Sequence, residues 1–139
     1  MMKKIIIVIC VIALLGSLHF IFSGRKLGDP AEYQGLSSVD VGKKAFSNLK
    51  CDSCHKMDDP SKLGGSLKGI LGKEVEFVDG SKLIRDEAYL KDSILNPLAK
   101  IVKGRTGVMI PFKHYFYPKD KSPREKELNG LVAYLTSLK

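Results

Sequence analysis

Polar and apolar positions divide the chain into stretches of different character. Lys3 and Lys4 precede an unbroken apolar run from Ile5 to Phe22, free of Asp, Glu, Lys and Arg, and Arg25 and Lys26 follow it. At about 1.5 Å per residue this run makes about 27 Å of helix, enough to cross the hydrocarbon core of a bilayer. A cleaved export signal is the competing reading. Its apolar region is usually shorter, however, and Ile21-Phe22-Ser23 and Phe22-Ser23-Gly24 put a bulky residue where a cleavage site needs a small one. The pattern predicts an uncleaved anchor over 1–22. From Ser23 to Ser37 there is no sustained apolar period, and Gly24, Asp29-Pro30 and Ser37 read as a linker over 23–37.

Helical spacing begins near residue 38. Ser38 can cap a helix with Asp40 in its first turn and Gly42, Phe46 and Leu49 on one face. Glu74 to Val78 and Lys82 to Ile84 flank Asp79-Gly80-Ser81, a hairpin signal. Asp86 can cap a short helix bearing Tyr89, Leu90 and Ile94, which Asn96-Pro97 ends. Ser122-Pro123-Arg124-Glu125 spells a capping box with proline at the first helical position. It opens a helix with Leu128, Leu131, Leu135 and Leu138 in register and Tyr134 beside them. The expectation is an all-α domain over 38–139 with a small β-hairpin insertion, preceded by a single transmembrane helix.

Composition changes this picture in one respect. The 139 residues fit one domain plus an anchor, but there are only three cysteines, and Cys10 lies inside the apolar run, so no disulfide framework supports the fold. The other two stand in Cys51-Asp52-Ser53-Cys54-His55, a C-x-x-C-H haem-attachment motif. Two thiols at this spacing can each form a thioether with one vinyl arm of a porphyrin, and the next residue then lies under the iron, which makes His55 the expected proximal ligand. A structural zinc site needs four ligands, and only Cys10, His19 and His114 are left to complete one. A thioredoxin-type centre belongs at the strand-to-helix turn of a βαβ unit, and no such pattern flanks Cys51. The small core of a disulfide-free domain would gain much apolar contact from a buried haem.

Lys3 and Lys4 on one side of the anchor match Arg25 and Lys26 on the other, so charge does not orient it. Haem of this type is attached after export, which puts the chain beyond residue 23 outside the cytoplasmic membrane.

Taken in order, Gly42-x-x-x-Phe46, then the C-x-x-C-H motif, then the terminal Leu131-Val132-Ala133-Tyr134-Leu135 helix, residues 38 to 139 resemble the class I c-type cytochromes. The resemblance implies a cytochrome c fold around one covalently bound haem c, with the first and last helices crossing at Gly42 and Phe46 against Leu131 and Tyr134. Leu63 to Gly72 stands in the place of the family's G-P-x-L-x-G-L-x-G loop. Gly65 replaces the proline whose carbonyl faces the proximal histidine's other ring nitrogen, so a carbonyl is kept and rigidity is lost. The run from Gly72 to Gly104 is similar to the cytochrome c domain fused to subunit II of some bacterial haem-copper oxidases. No cupredoxin domain or dinuclear-copper ligand cluster precedes it here.

The resemblance points to Met109, in Gly107-Val108-Met109-Ile110-Pro111, as the second axial ligand. In the family proline usually follows this methionine directly, whereas Ile110 intervenes here, and Arg105 replaces an aromatic residue. His114 is the chemical rival, since a bis-histidine site is workable, while Met57 lies on the proximal side. The expected metal ligands are thus His55 and Met109, with Cys51 and Cys54 holding the cofactor.

The net charge of +8, with Lys43, Lys44, Lys50, Lys56, Lys62 and Lys68 grouped around the motif, suits acidic docking surfaces on respiratory redox proteins; the same lysines also serve simply as solvated surface. Nothing marks a nucleic-acid reader. The expected function is single-electron transfer in a respiratory chain by a protein anchored in the bacterial cytoplasmic membrane, its domain facing the periplasm or cell exterior. Two fixed ligands leave no position for a substrate, so this is a carrier and not an enzyme. A permanent haem subunit of a terminal oxidase or quinol-oxidising complex, or a haem-based ligand sensor, are the alternatives.

Overall fold

The computed structural model of the protein describes residues 30–59 and 63–139. The anchor expected over 1–22, with Cys10 and His19, lies outside the described residues. Among those described, no helix is long and apolar enough to cross a membrane.

Four α-helices form among the described residues: α1 (Ser38–Asn48), α2 (Glu87–Leu95), α3 (Lys113–Phe116) and α4 (Glu125–Ser137). Helix α1 is capped by Ser37, one residue earlier than its periodicity suggests, with the hydroxyl accepting from Asp40 N at 3.2 Å. Asp86 caps α2, accepting from Tyr89 N at 2.7 Å. The capping box expected at Ser122 does not form. Helix α4 starts at Glu125 with no side-chain cap, because Arg124 N instead donates to Phe116 O at 2.8 Å and ties the entry to α3.

Helices α1 and α4 form the most extensive contact in the fold. Their backbones touch at two glycines. A Cβ on Gly42 would overlap the Gly130 carbonyl, and one on Gly130 would stand 2.7 Å from Val41 Cγ1 and 2.9 Å from Ser38 O. Phe46 packs edge-on to Tyr134, with ring centroids 5.6 Å apart. Around this crossing the core gathers Phe46, Leu90, Ile94, Phe116, Leu128, Leu131, Val132 and Leu135.

The domain is not all-α. Among the described residues it also holds two small sheets, and one of them begins at His55 of the C-x-x-C-H motif. Strand β1 (His55–Lys56) pairs in parallel with β2 (Gly65–Ser66), His55 opposite Gly65. The other is the antiparallel hairpin of β3 (Glu74–Glu76) and β4 (Lys82–Ile84), whose buried Val75 and Phe77 face inward. Phe77 bridges to Val102, which fastens the hairpin to the chain leading towards Met109. The extra sheet arises because the chain leaves Cys54 extended, and its backbone groups are then satisfied by the Gly64–Lys68 stretch.

Pro30–Tyr33 forms a 3-10 turn that belongs to the folded unit, although composition reads it as linker: Tyr33 is buried.

Candidate functional site

The motif occupies the exit of α1. Leu49 ends the helix and Lys50 takes a left-handed conformation, φ 57°, which reverses the chain as glycine commonly does after a helix. A 3-10 turn, Cys51–Ser53, follows at once, held by Ser53 N and Ser53 Oγ donating to Lys50 O at 3.0 and 2.7 Å. The turn carries Cys51, and Cys54 caps it with its N–H donating to Cys51 O at 3.2 Å; both thiols are free. Cys54 is exposed, whereas Cys51 is half-buried against the core. Burial, helped by the neighbouring Asp52 charge, pushes the Cys51 thiol up to about 11, so it is protonated at neutral pH.

His55 follows on β1, laced to the opposite loop. Gly64 N donates to Cys54 O at 2.8 Å, Leu67 N to Lys56 O at 3.1 Å and Lys68 N to Met57 O at 3.0 Å, while Ser66 Oγ also donates to Met57 O. The imidazole lies directly on Gly64. A Cβ there would stand 2.6 Å from Nδ1 and 2.7 Å from Nε2, so only glycine leaves room for the ring. Nδ1 is buried and, among the described residues, finds no partner with full hydrogen-bond geometry, although the Gly65 and Gly64 backbone lies close enough to act on the ring. Gly65 itself sits at φ +75°, a conformation closed to the proline that the resemblance leads one to look for. Burial lowers the His55 pKa, and the Arg105 charge acts in the same direction against the opposing pull of the Gly65 and Gly64 backbone. The ring is therefore neutral at pH 7, the form that ligates metal.

Met109 lies half-buried between exposed Val108 and Ile110. The link between its loop and His55 runs through Arg105, whose guanidinium carbon would be 2.9 Å from a Cβ on Gly65. His114 is exposed on α3, and Met57 packs on the core. Thus Cys51, Cys54 and His55 form one continuous unit, and the Met109 loop meets it at its edge. Sequence reasoning marks Arg105 only as a departure from the family pattern and does not foresee its contact with Gly65, and it misses the role of Gly64, although the Gly64-Gly65 pair is visible in the sequence.

The chemistry of these groups fits a covalently held haem. The two thiols stand at one turn, a neutral imidazole whose Nδ1 lacks a well-aligned partner among the described residues follows them, exposed Leu63 precedes Gly64, and exposed Val108 and Ile110 flank Met109 with apolar surface that water covers poorly. Among the described residues no group of three His, Cys, Asp or Glu side chains converges as an ion site. No protein-family model matches the chain, and no curated protein matches it.

Proposed function

We propose that the chain is a membrane-tethered monohaem c-type cytochrome that passes single electrons between respiratory redox proteins. The observation that carries this reading is Cys51-Asp52-Ser53-Cys54-His55, folded so that both thiols stand at one turn and a neutral imidazole follows against Gly64. Haem c, when bound, supplies an iron that alternates between the ferric and ferrous states. Cys51 and Cys54 would hold it through thioethers, His55 would ligate it on one side, and Met109 is the proposed ligand on the other. With both positions filled by protein, the chain carries electrons and transforms no substrate. The apolar run Ile5 to Phe22 supports attachment to the bacterial cytoplasmic membrane with the domain on its outer side, and the net charge of +8 supports acidic partner surfaces.

The test is chemical. Protein made in cells that attach haem c is extracted with acid acetone after denaturation. Haem should remain with the polypeptide in a ratio of one to one, and the reduced protein should resist carbon monoxide. Haem in the extract beside a colourless chain defeats the proposal, while ready carbon monoxide binding to a covalently loaded chain moves it towards a ligand sensor.

A further inference from the structure

Away from the motif, the least expected feature is a buried carboxylate. Glu127, on α4, is 2 % exposed. Burying a carboxylate is costly unless donors surround it. Here Tyr115 Oη and Tyr33 Oη both donate to its Oε1, each at 2.7 Å, and Arg124 Nη1 stands 3.9 Å from Oε2 while its guanidinium lies over the Tyr115 ring. Tyr115 comes from the adjacent α3. Tyr33 comes from the far end of the chain, ahead of the first helix.

The segment around Tyr33 is fastened at further points. Lys126 Nζ donates to Tyr33 O at 2.8 Å. Glu32 pairs with Lys44 Nζ at 3.3 Å and accepts from Asn48 Nδ2 at 3.4 Å, which ties the same turn to α1. Residues 34–37 between this turn and α1 are exposed. The turn Pro30–Tyr33 therefore bridges the two helices that form the centre of the fold, with Glu127 as its latch.

We propose that Pro30–Tyr33 is a clip: it holds the chain to α1 and α4 from residue 30 onward, so that a domain anchored through residues 1–22 would be gripped at this turn and not first at residue 38. The clip rests on the described contacts. Only its consequence, a restricted orientation towards a partner in the same membrane, rests on the proposed membrane attachment.

The experiment is native-state chymotrypsin digestion of the full-length holoprotein in mild detergent, reading cleavage after Leu36 by intact mass. Cleavage within α4 reports global opening. In the unaltered protein, cleavage after Leu36 should be at least tenfold slower than in an unfolded peptide spanning 30–40. Tyr33→Phe, which keeps the ring and removes the hydrogen bond to a charged acceptor, should raise it about tenfold without raising cleavage in α4. Lys126→Ala, a change at an exposed side chain, should raise it at least threefold. Cleavage of the unaltered protein at the peptide's rate, or increases below threefold in both variants, overturns the clip. Carbonate extraction of the same membranes reports the anchor separately, so release of the protein there refutes the membrane attachment and leaves the clip standing.

Discussion

Met109 and His114 separate the two ligand sets that the sequence allows, and their surroundings already differ. Met109 is half-buried in the loop that Arg105 joins to Gly65, while His114 is exposed on α3. A thioether is a weaker donor than imidazole and favours ferrous iron, so its loss should lower the potential. In haem-loaded protein, Met109→Ala should abolish the sulfur-to-iron charge-transfer band. It should also lower the potential by at least about 59 mV, one decade in the equilibrium constant, and open the iron to carbon monoxide. His114→Ala should change these little. The reverse outcome, read by spectroscopy and redox titration, would replace Met109 with His114.

At the scale of elements, the caps make the sharpest comparison. Ser37 accepts a hydrogen bond from Asp40 N, whereas Ser122 caps nothing. Ser37→Ala should cost about 1 kcal/mol and Ser122→Ala less than about 0.5 kcal/mol in urea unfolding. Gly130→Ala should cost several times more, about 3 kcal/mol or above, since its Cβ would press on Val41 and on the Ser38 carbonyl across the crossing. These residues also mark how far the chain can be read. The motif at Cys51, Cys54 and His55, the hairpin at Asp79-Gly80 and the helix capped by Asp86 were legible because each is a local signal. The start of α1 was misplaced by one residue because Ser37 and Ser38 are chemically equal choices. The capping box at Ser122 failed because a long-range bond, Arg124 N to Phe116 O, outcompeted it. Gly130 lacks any cue, since a helical glycine announces neither its partner nor its depth. Of the candidate site, the residues proposed as ligands stand out through a local motif and their surroundings do not: the contacts of Gly64 under the ring and of Arg105 at Gly65 are set by tertiary approach.

At the largest scale, the expectation of an all-α fold gives way, among the described residues, to four α-helices with two small sheets. The unforeseen sheet starts at the backbone of His55, which pairs with Gly65. The same scale governs the response to alkali. Burial raises the pKa of Tyr33 and of Tyr115, and the facing Glu127 carboxylate adds to both, with Asn48 opposing at Tyr33 and Arg124 at Tyr115. A phenol raised in the folded state contributes stability that is complete below its ordinary value of about 10 and declines as pH rises beyond it. The thermal midpoint should therefore fall above about pH 10, and the fall should be shallower in Tyr33→Phe and Tyr115→Phe. Equal slopes in all three proteins would remove these phenols from the explanation.

The docked turn at Pro30–Tyr33 also changes how much space the domain can explore. With residues 1–22 held in a bilayer, a fully stretched chain over 23–37 would let the domain stray about 55 Å from its anchor, but over 23–29 only about 25 Å. Accessible volume scales with the cube of that radius, so under the proposed attachment it would contract about tenfold, and the domain's effective concentration near a partner embedded in the same membrane would increase by about the same factor.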